Sequence, residues 1–355
     1  MPQEIIVGHA ITPFVSAYPW SASGFGAKFA NPSVLPGGQC SSVSSIAGAA
    51  ALGSTLTPFL SAYAFSGSGW GSKYANPSAG PDNVYGVKFH PSENYIACTS
   101  LTSPRVHAYL WSASGFGTKF SNPSQLPTGT AWGIDFTNTE VVVSHSTSPF
   151  VSAYPWSASG FGTKFTNPGS LPASACYGVC FSSSNSEIAL AHNTTPFLSA
   201  YPWTASGFGT KFANASPLPG SSNAVRIKNN MLTVAISANP YLRAYNWSPS
   251  GYGSQYSLPS LLATGPGQNI ALSNSIALAH TTTPYVSTWD IDYTTKFSNP
   301  STVPTGDAVG VAFTPETTPG DATGAGVGIA IASAEGNATG TIVAGGGGML
   351  LLGVG

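Results

Sequence analysis

The chain is 355 residues long, and only 6% of it is Lys, Arg, Asp or Glu, against about 25% in an ordinary soluble domain. Hydrophobic residues make up 42% and aromatic residues 12%, so a sizeable core is available and charged, aromatic-poor disorder is excluded. A net charge of −1 offers nothing to attract nucleic acid or anionic lipid, and 41 Gly with 29 Pro leave few long helical runs, which excludes a helical bundle.

The opening residues, MPQEIIVGHAITPF, have neither a basic start nor an apolar stretch of signal-peptide type. Nowhere does the chain reach the roughly 18 consecutive apolar residues of a membrane span, so neither a secretion signal nor membrane insertion is expected. The first element is a strand from Glu4 to His9, followed by a turn at Pro13 and the phrase TPFVSAYPWSASGFGAKFANPSVLP. This phrase returns with its first proline at Pro58, Pro104, Pro149, Pro196, Pro240 and Pro284. Seven copies with a period of about 45 residues specify the four-stranded blades of a seven-bladed β-propeller, an all-β fold.

Within a repeat, four strand-like runs follow one another between turn signals. The first has an aromatic-Gly-aliphatic pattern, as in Tyr85 to Phe89, Trp132 to Phe136 and Tyr177 to Phe181. The second is short and aliphatic, as in Glu140 to His145 and Glu187 to His192. The third, Phe150 to Trp156, alternates one face (Phe150, Ser152, Tyr154, Trp156), mostly bulky, with a smaller one (Val151, Ala153, Pro155). Neither face is polar, so both must be covered, as radial stacking of blades does. Pro19, Pro155 and Pro202 sit inside this run and cannot donate to a ladder, which calls for a bulge or for a fourth strand that pairs only later. That fourth strand carries Lys164 and Phe165 and stops at Asn167-Pro168.

The chain starts on a second-type strand, and an extra first-type strand, Val309 to Phe313, follows the seventh copy. The ring is therefore expected to close by pairing the N- and C-terminal strands, which removes exposed sheet edges. Residues 1–313 form the propeller in this reading, and 314–355 a Gly/Ala-rich C-terminal extension ending in the apolar run Met349, Leu350, Leu351 and Leu352, a candidate docking tail.

Over residues 3–313 this pattern resembles WD-repeat and YVTN-type seven-bladed propellers. Only Trp289-Asp290 imitates the WD dipeptide, and Ser/Thr-Pro replaces the turn Asp of that family. The phrase Ala-Tyr-Pro-Trp-Ser-x-Ser-Gly-Phe-Gly-Thr-Lys-Phe-x-Asn-Pro is similar to uncharacterised propeller arrays of bacteriophages and environmental bacteria.

His9, His145, His192 and His280 each precede the repeat proline by four residues. A metal would need three or four ligands converging from separate blades, and Ser54, Ser100 and Ile236 occupy the same slot elsewhere, so these imidazoles are read as hydrogen-bonding the turn, with no metal and no cofactor expected. Cys40, Cys98, Cys176 and Cys180 are read as buried free thiols; Cys176 and Cys180 lie roughly 13 Å apart on one strand, too far for a disulfide. Gly-Phe-Gly-Thr-Lys lacks the spacing of a phosphate loop and is read as a hairpin turn. Lys28, Lys73, Lys119, Lys164, Lys211 and Lys296 share one repeat position on the outer strand. They form a belt that protects sheet edges or serves as an interaction surface. Lys88 and Asp135 share another slot in adjacent blades and are expected to pair.

The twelve carboxylates show no recurring blade position in this reading, so no catalytic residues are assigned and no enzyme is expected. Few charges, a rigid ring and no export signal lead to a non-enzymatic structural or interaction scaffold associated with a phage virion, in its tail, fibre or capsid decoration. It is placed on a virion or extracellular particle surface, with other structural subunits and surface glycans as partners. The alternatives are a YVTN or lactonase-like propeller enzyme with its site at the channel mouth, and an exported adhesin or filament subunit.

Overall fold

The computed structural model describes residues 3–315, whose regular structure is entirely β-strand. Seven antiparallel sheets follow one another along the chain, each starting with an inner strand: Cys40–Ile46, Val84–Phe89, Ala131–Phe136, Cys176–Phe181, Ser222–Lys228, Gly267–Leu272 and Ala308–Phe313. The last of these belongs to the N-terminal blade. It pairs with Gln3–His9, placing Ile5 opposite Phe313 and Val7 opposite Val311, so the ring closes as expected. Numbering blades from this one, blades 1 to 6 have four strands; blade 7 has three fully paired strands, and in place of the fourth a single bridge joins Trp289 to Lys296.

The internal prolines govern the outer strands. Trp156 N–H points toward the second strand and donates to Thr139 O at 2.6 Å, so the nitrogen of the preceding residue faces the outer strand. Where that residue is proline, at Pro19, Pro155 and Pro202, there is no N–H to offer, and the outer strand is two residues long: Gly24–Phe25, Gly160–Phe161 and Gly207–Phe208. Where it is Ala64, Leu110 or Asn246, pairing continues across a bulge into five residues: Gly69–Lys73, Gly115–Lys119 and Gly251–Gln255. The same three proline blades carry Glu4, Glu140 and Glu187 directly across the sheet from the proline. Carboxylates therefore do recur at one blade position, contrary to the reading from sequence.

Seven apolar clusters hold the ring, one at each blade boundary. Between blades 3 and 4 the small face, Ala97, Val106 and Ala108, receives the bulky one, Val141, Val143, Tyr154 and Trp156, which is the bulky-on-small stacking that the alternation demanded. Five of the six buried tyrosines of the third strands also tie down the crossover into their own blades: Tyr18, Tyr109, Tyr154, Tyr201 and Tyr245 donate their hydroxyls to loop carbonyls at 2.6–2.9 Å, whereas the Tyr63 hydroxyl is buried with no partner among the described residues. Trp156, 4% exposed, lies edge-on to Phe120, Phe136 and Phe161 at centroid distances of 5.1, 5.3 and 5.0 Å. Trp156→Ala empties this boundary and is expected to cost about 3–5 kcal/mol. A denaturant midpoint lowered at unchanged slope is the expected reading, and an unchanged midpoint contradicts this packing account.

Candidate functional site

The seven inner strands surround a channel whose cavity measures about 860 Å³. Because the strands share one register, equivalent slots form levels along it. Near the strand starts one level consists of Ser41, Tyr85, Trp132, Tyr177, Asn223, Gln268 and Val309. Three residues further, roughly 10 Å along each strand, the slot holds Ser44, Lys88, Asp135, Cys180, Arg226, Ala271 and Ala312. The charges of the channel wall are concentrated here.

Asp135 is 8% exposed. Its Oδ1 accepts from Lys88 Nζ at 2.9 Å and from its neighbour Phe136 N–H at 3.0 Å, and its Oδ2 accepts from Phe181 N–H of the next blade at 2.9 Å. The expected pairing of Lys88 with Asp135 is thus present, and the carboxylate joins three blades. In blade 2 the same slot does part of this work with a hydroxyl: Ser44 Oγ accepts from Phe89 N–H at 3.0 Å. Lys88 keeps 39% of its side chain exposed to the channel, so the pair is reachable from solvent and contributes modestly to stability. Arg226 Nη1 donates to Val225 O at 2.9 Å. The cations Arg226 and Lys88 and the carboxylate of Asp135 all act electrostatically on Cys180, whose thiol burial pushes up to about 12. Cys180 is therefore a buried thiol and not a nucleophile.

Toward the strand ends the lining includes His90, Glu93 and Lys228. Both imidazole nitrogens of His90 are engaged, Nδ1 with Ser92 Oγ at 2.8 Å and Nε2 with Asn138 O at 3.2 Å, and burial lowers its pKa.

The recurring residues lie away from this channel lining. His9, His145 and His192 bind their own turns, Nδ1 to the carbonyl two residues on at 2.8 Å and Nε2 to Ser16, Ser152 or Ser199 at 3.1 Å. His280 Nε2 meets Ser287 in the same way at 3.0 Å. Blade 3 reverses the pair, with Ser100 meeting His107 at 3.2 Å. A peptide bond in the cis form precedes each of the seven repeat prolines in these turns. Among the described residues no group of three His, Cys, Asp or Glu is placed to hold a metal. Of the lysine belt, Lys28, Lys73, Lys164, Lys211 and Lys296 each donate to the Asn three residues on; in all but the Lys211 copy, where Ala215 follows, that Asn is followed by Pro. All four cysteines are free and buried. Met349, Leu350, Leu351 and Leu352 lie outside the described residues, as does nearly all of the extension expected at 314–355.

Of the charged level, sequence showed the Lys88 and Asp135 slot but missed Arg226 and the channel they share, because the level does not recur: Lys, Asp, Cys and Arg in one slot look like ordinary variation between copies. The available signal was the scarcity of charge. Of the five cations outside the belt, three, Lys88, Arg226 and Lys228, line the cavity.

No family model matches the sequence, and neither does any curated protein. Solved structures match the fold. A functionally unknown protein from Desulfotomaculum acetoxidans is 11% identical, covers 88% of this chain and 99% of its own, and superposes with a TM-score of 0.67. A putative 6-phosphogluconolactonase from Bacteroides fragilis is 12% identical, with 88% and 98% covered and a TM-score of 0.61. The periplasmic gluconolactonase of Pseudomonas aeruginosa is 11% identical, with 88% and 99% covered and a TM-score of 0.64. At these identities the likeness establishes the fold, a seven-bladed propeller of four-stranded blades. It also corrects the expected function. The reading as a virion scaffold rested on few charges, a rigid ring and no export signal, and the exclusion of an enzyme on carboxylates that showed no recurring position, whereas these neighbours include proteins named as lactonases and the channel here holds charged groups from different blades. The expectation that the chain is not an enzyme falls with it.

Proposed function

We propose that the chain is a lactonase-like hydrolase that opens a small sugar-derived lactone in the central channel. The observation that carries this reading is the charged level: in a chain with 6% charged residues, Lys88, Asp135 and Arg226 share one slot in the wall of one cavity, with Lys228 beyond them. Hydrolysis of a lactone adds water to an ester carbonyl and builds negative charge on its oxygen. A site for it needs an acceptor that orients the water and a cation beside the developing oxyanion. Asp135 is the acceptor: its oxygens take three hydrogen bonds from protein, and a carboxylate has about four acceptor positions. Lys88 and Arg226 are the cations. Among the described residues the one ion pair is Lys88 with Asp135, which leaves Arg226 and Lys228 to attract an anionic substrate and the carboxylate product. The names of two structural neighbours, a gluconolactonase and a putative phosphogluconolactonase, support the substrate class.

The test follows acid release from gluconolactone and from phosphogluconolactone. We expect rates above spontaneous hydrolysis on at least one, with kcat/KM falling about 100-fold in Asp135→Asn and in Arg226→Gln, the usual scale for loss of one electrostatic contact to the transition state. No rate above background on either lactone, or full activity in folded Asp135→Asn, overturns the proposal.

A further inference from the structure

The channel has a second level whose chemistry is unlike the charged one. Tyr85, Trp132 and Tyr177 stand at the same register on three consecutive blades and line the cavity. They are half-buried and belong to none of the clusters between blades. Trp132 and Tyr177 lie face to face, with centroids 4.5 Å apart and planes inclined by 29°, whereas the core aromatics of these blades meet edge-on. Each of the three is followed by glycine because the backbone is crowded there: a Cβ would come within 2.5 Å of Trp132 O at Gly86 and within 2.8 Å of Ala224 Cα at Gly178. The rings are thus seated on tightly packed backbone and offer a platform that exists before any ligand arrives.

Farther round the ring, Asn223 and Gln268 occupy the same level. Their amide nitrogens are used internally, Asn223 Nδ2 toward Gly267 O at 2.7 Å and Gln268 Nε2 toward Pro266 O at 3.5 Å. Their carbonyl oxygens accept from no protein group among the described residues. None of the seven residues at this level is charged.

A ligand for such a level has a flat apolar face for the rings, hydroxyl edges to donate to the amide oxygens, and no charge. A hydrocarbon would leave the amides unmet, and a phosphate would find no cation. We propose that this aromatic and amide collar is a binding subsite for a neutral saccharide, with a pyranose ring packed against the stacked Trp132–Tyr177 pair and its hydroxyls directed to Asn223 and Gln268. The inference concerns binding alone and stands or falls independently of lactone hydrolysis at the charged level.

Cellotetraose and maltotetraose are suitable neutral probes, with benzyl alcohol as an apolar comparator, read by tryptophan fluorescence and titration calorimetry. The expected result is saturable binding of at least one tetrasaccharide, weakened tenfold or more in Trp132→Ala and severalfold in Gln268→Ala, and restored in part in Trp132→Phe. If Trp132→Ala does not fold, Tyr177→Ala takes its place with the same expected loss. Failure of both tetrasaccharides to bind the wild-type chain overturns the inference, as does binding of benzyl alcohol alone or wild-type affinity in a folded Trp132→Ala.

Discussion

Between about pH 6.5 and pH 4 the propeller is expected to lose most of its stability. Five buried imidazoles, His9, His107, His145, His192 and His280, are held from their ordinary value of 6.5 down to about 4. Burial is the main cause in every case. A belt lysine in the same blade adds to it: Lys28, Lys119, Lys164, Lys211 and Lys296, respectively. Because the folded pKa is depressed, the folded state stays neutral where the unfolded chain takes up a proton. The contribution is therefore complete above the unfolded value of 6.5 and declines as the pH falls through 4. A displacement of this size corresponds to about 3 kcal/mol per imidazole, and five of them approach the entire net stability of a typical domain, about 5–15 kcal/mol. Glu4 opposes this: its pKa is raised by burial, so its contribution is present at low pH and lost as pH rises, but it is one group against five. Denaturant midpoints measured from neutral pH downward should fall steeply within this window, and less steeply in His145→Gln. A flat profile contradicts the account.

The same histidines show what sequence can and cannot reveal in a repeat protein. A blade imposes its needs on every copy, so what recurs is what the blade requires: the tyrosine that anchors the crossover, the bulky residue at Trp156 and its equivalents, the imidazole and hydroxyl pair, the lysine that meets Asn. These fixed the architecture from sequence alone. A channel site has the opposite signature, since ligand chemistry is asymmetric and a sevenfold ring must break its own pattern to recognise it. Lys88, Asp135 and Arg226 do so in one slot, and Tyr85, Trp132, Tyr177, Asn223 and Gln268 in another. Searching for recurrence therefore found the structural residues and, of the candidate site, only the Lys88 and Asp135 pair, read as a contact between blades. One recurrent feature was legible and was missed: Glu4, Glu140 and Glu187 each precede Pro19, Pro155 and Pro202 by 15 residues, and only the sheet register shows that the two face each other.

Removing the closing strand is expected to have the largest mechanical effect. A chain ending at Asp307 lacks Ala308–Phe313, the inner strand of the N-terminal blade. The loss takes with it the ladder from Ile5 to His9 and two exchanges at its end, Thr314 N–H to Glu4 O at 2.9 Å and Glu4 N–H to Thr314 Oγ1 at 2.8 Å. It also removes Ala308 and Val311 from the cluster containing Ile5, Val7, Tyr18 and Trp20, and frees Ser45 Oγ, which donates to Phe313 O at 2.9 Å across the next boundary. Val311 alone is worth about 2 kcal/mol of burial. The larger cost is topological. Each blade is stabilised chiefly by its two neighbours, so opening one blade exposes a bulky face and a small face together with an unpaired strand edge, the usual route to edge-to-edge association. Size-exclusion chromatography and denaturant unfolding should show the truncated chain either unfolded or self-associated. A chain ending at Pro315 keeps the strand and is expected to match the full-length propeller. A monomeric Asp307 truncation with an undiminished midpoint would mean that the six remaining blades hold the ring without closure.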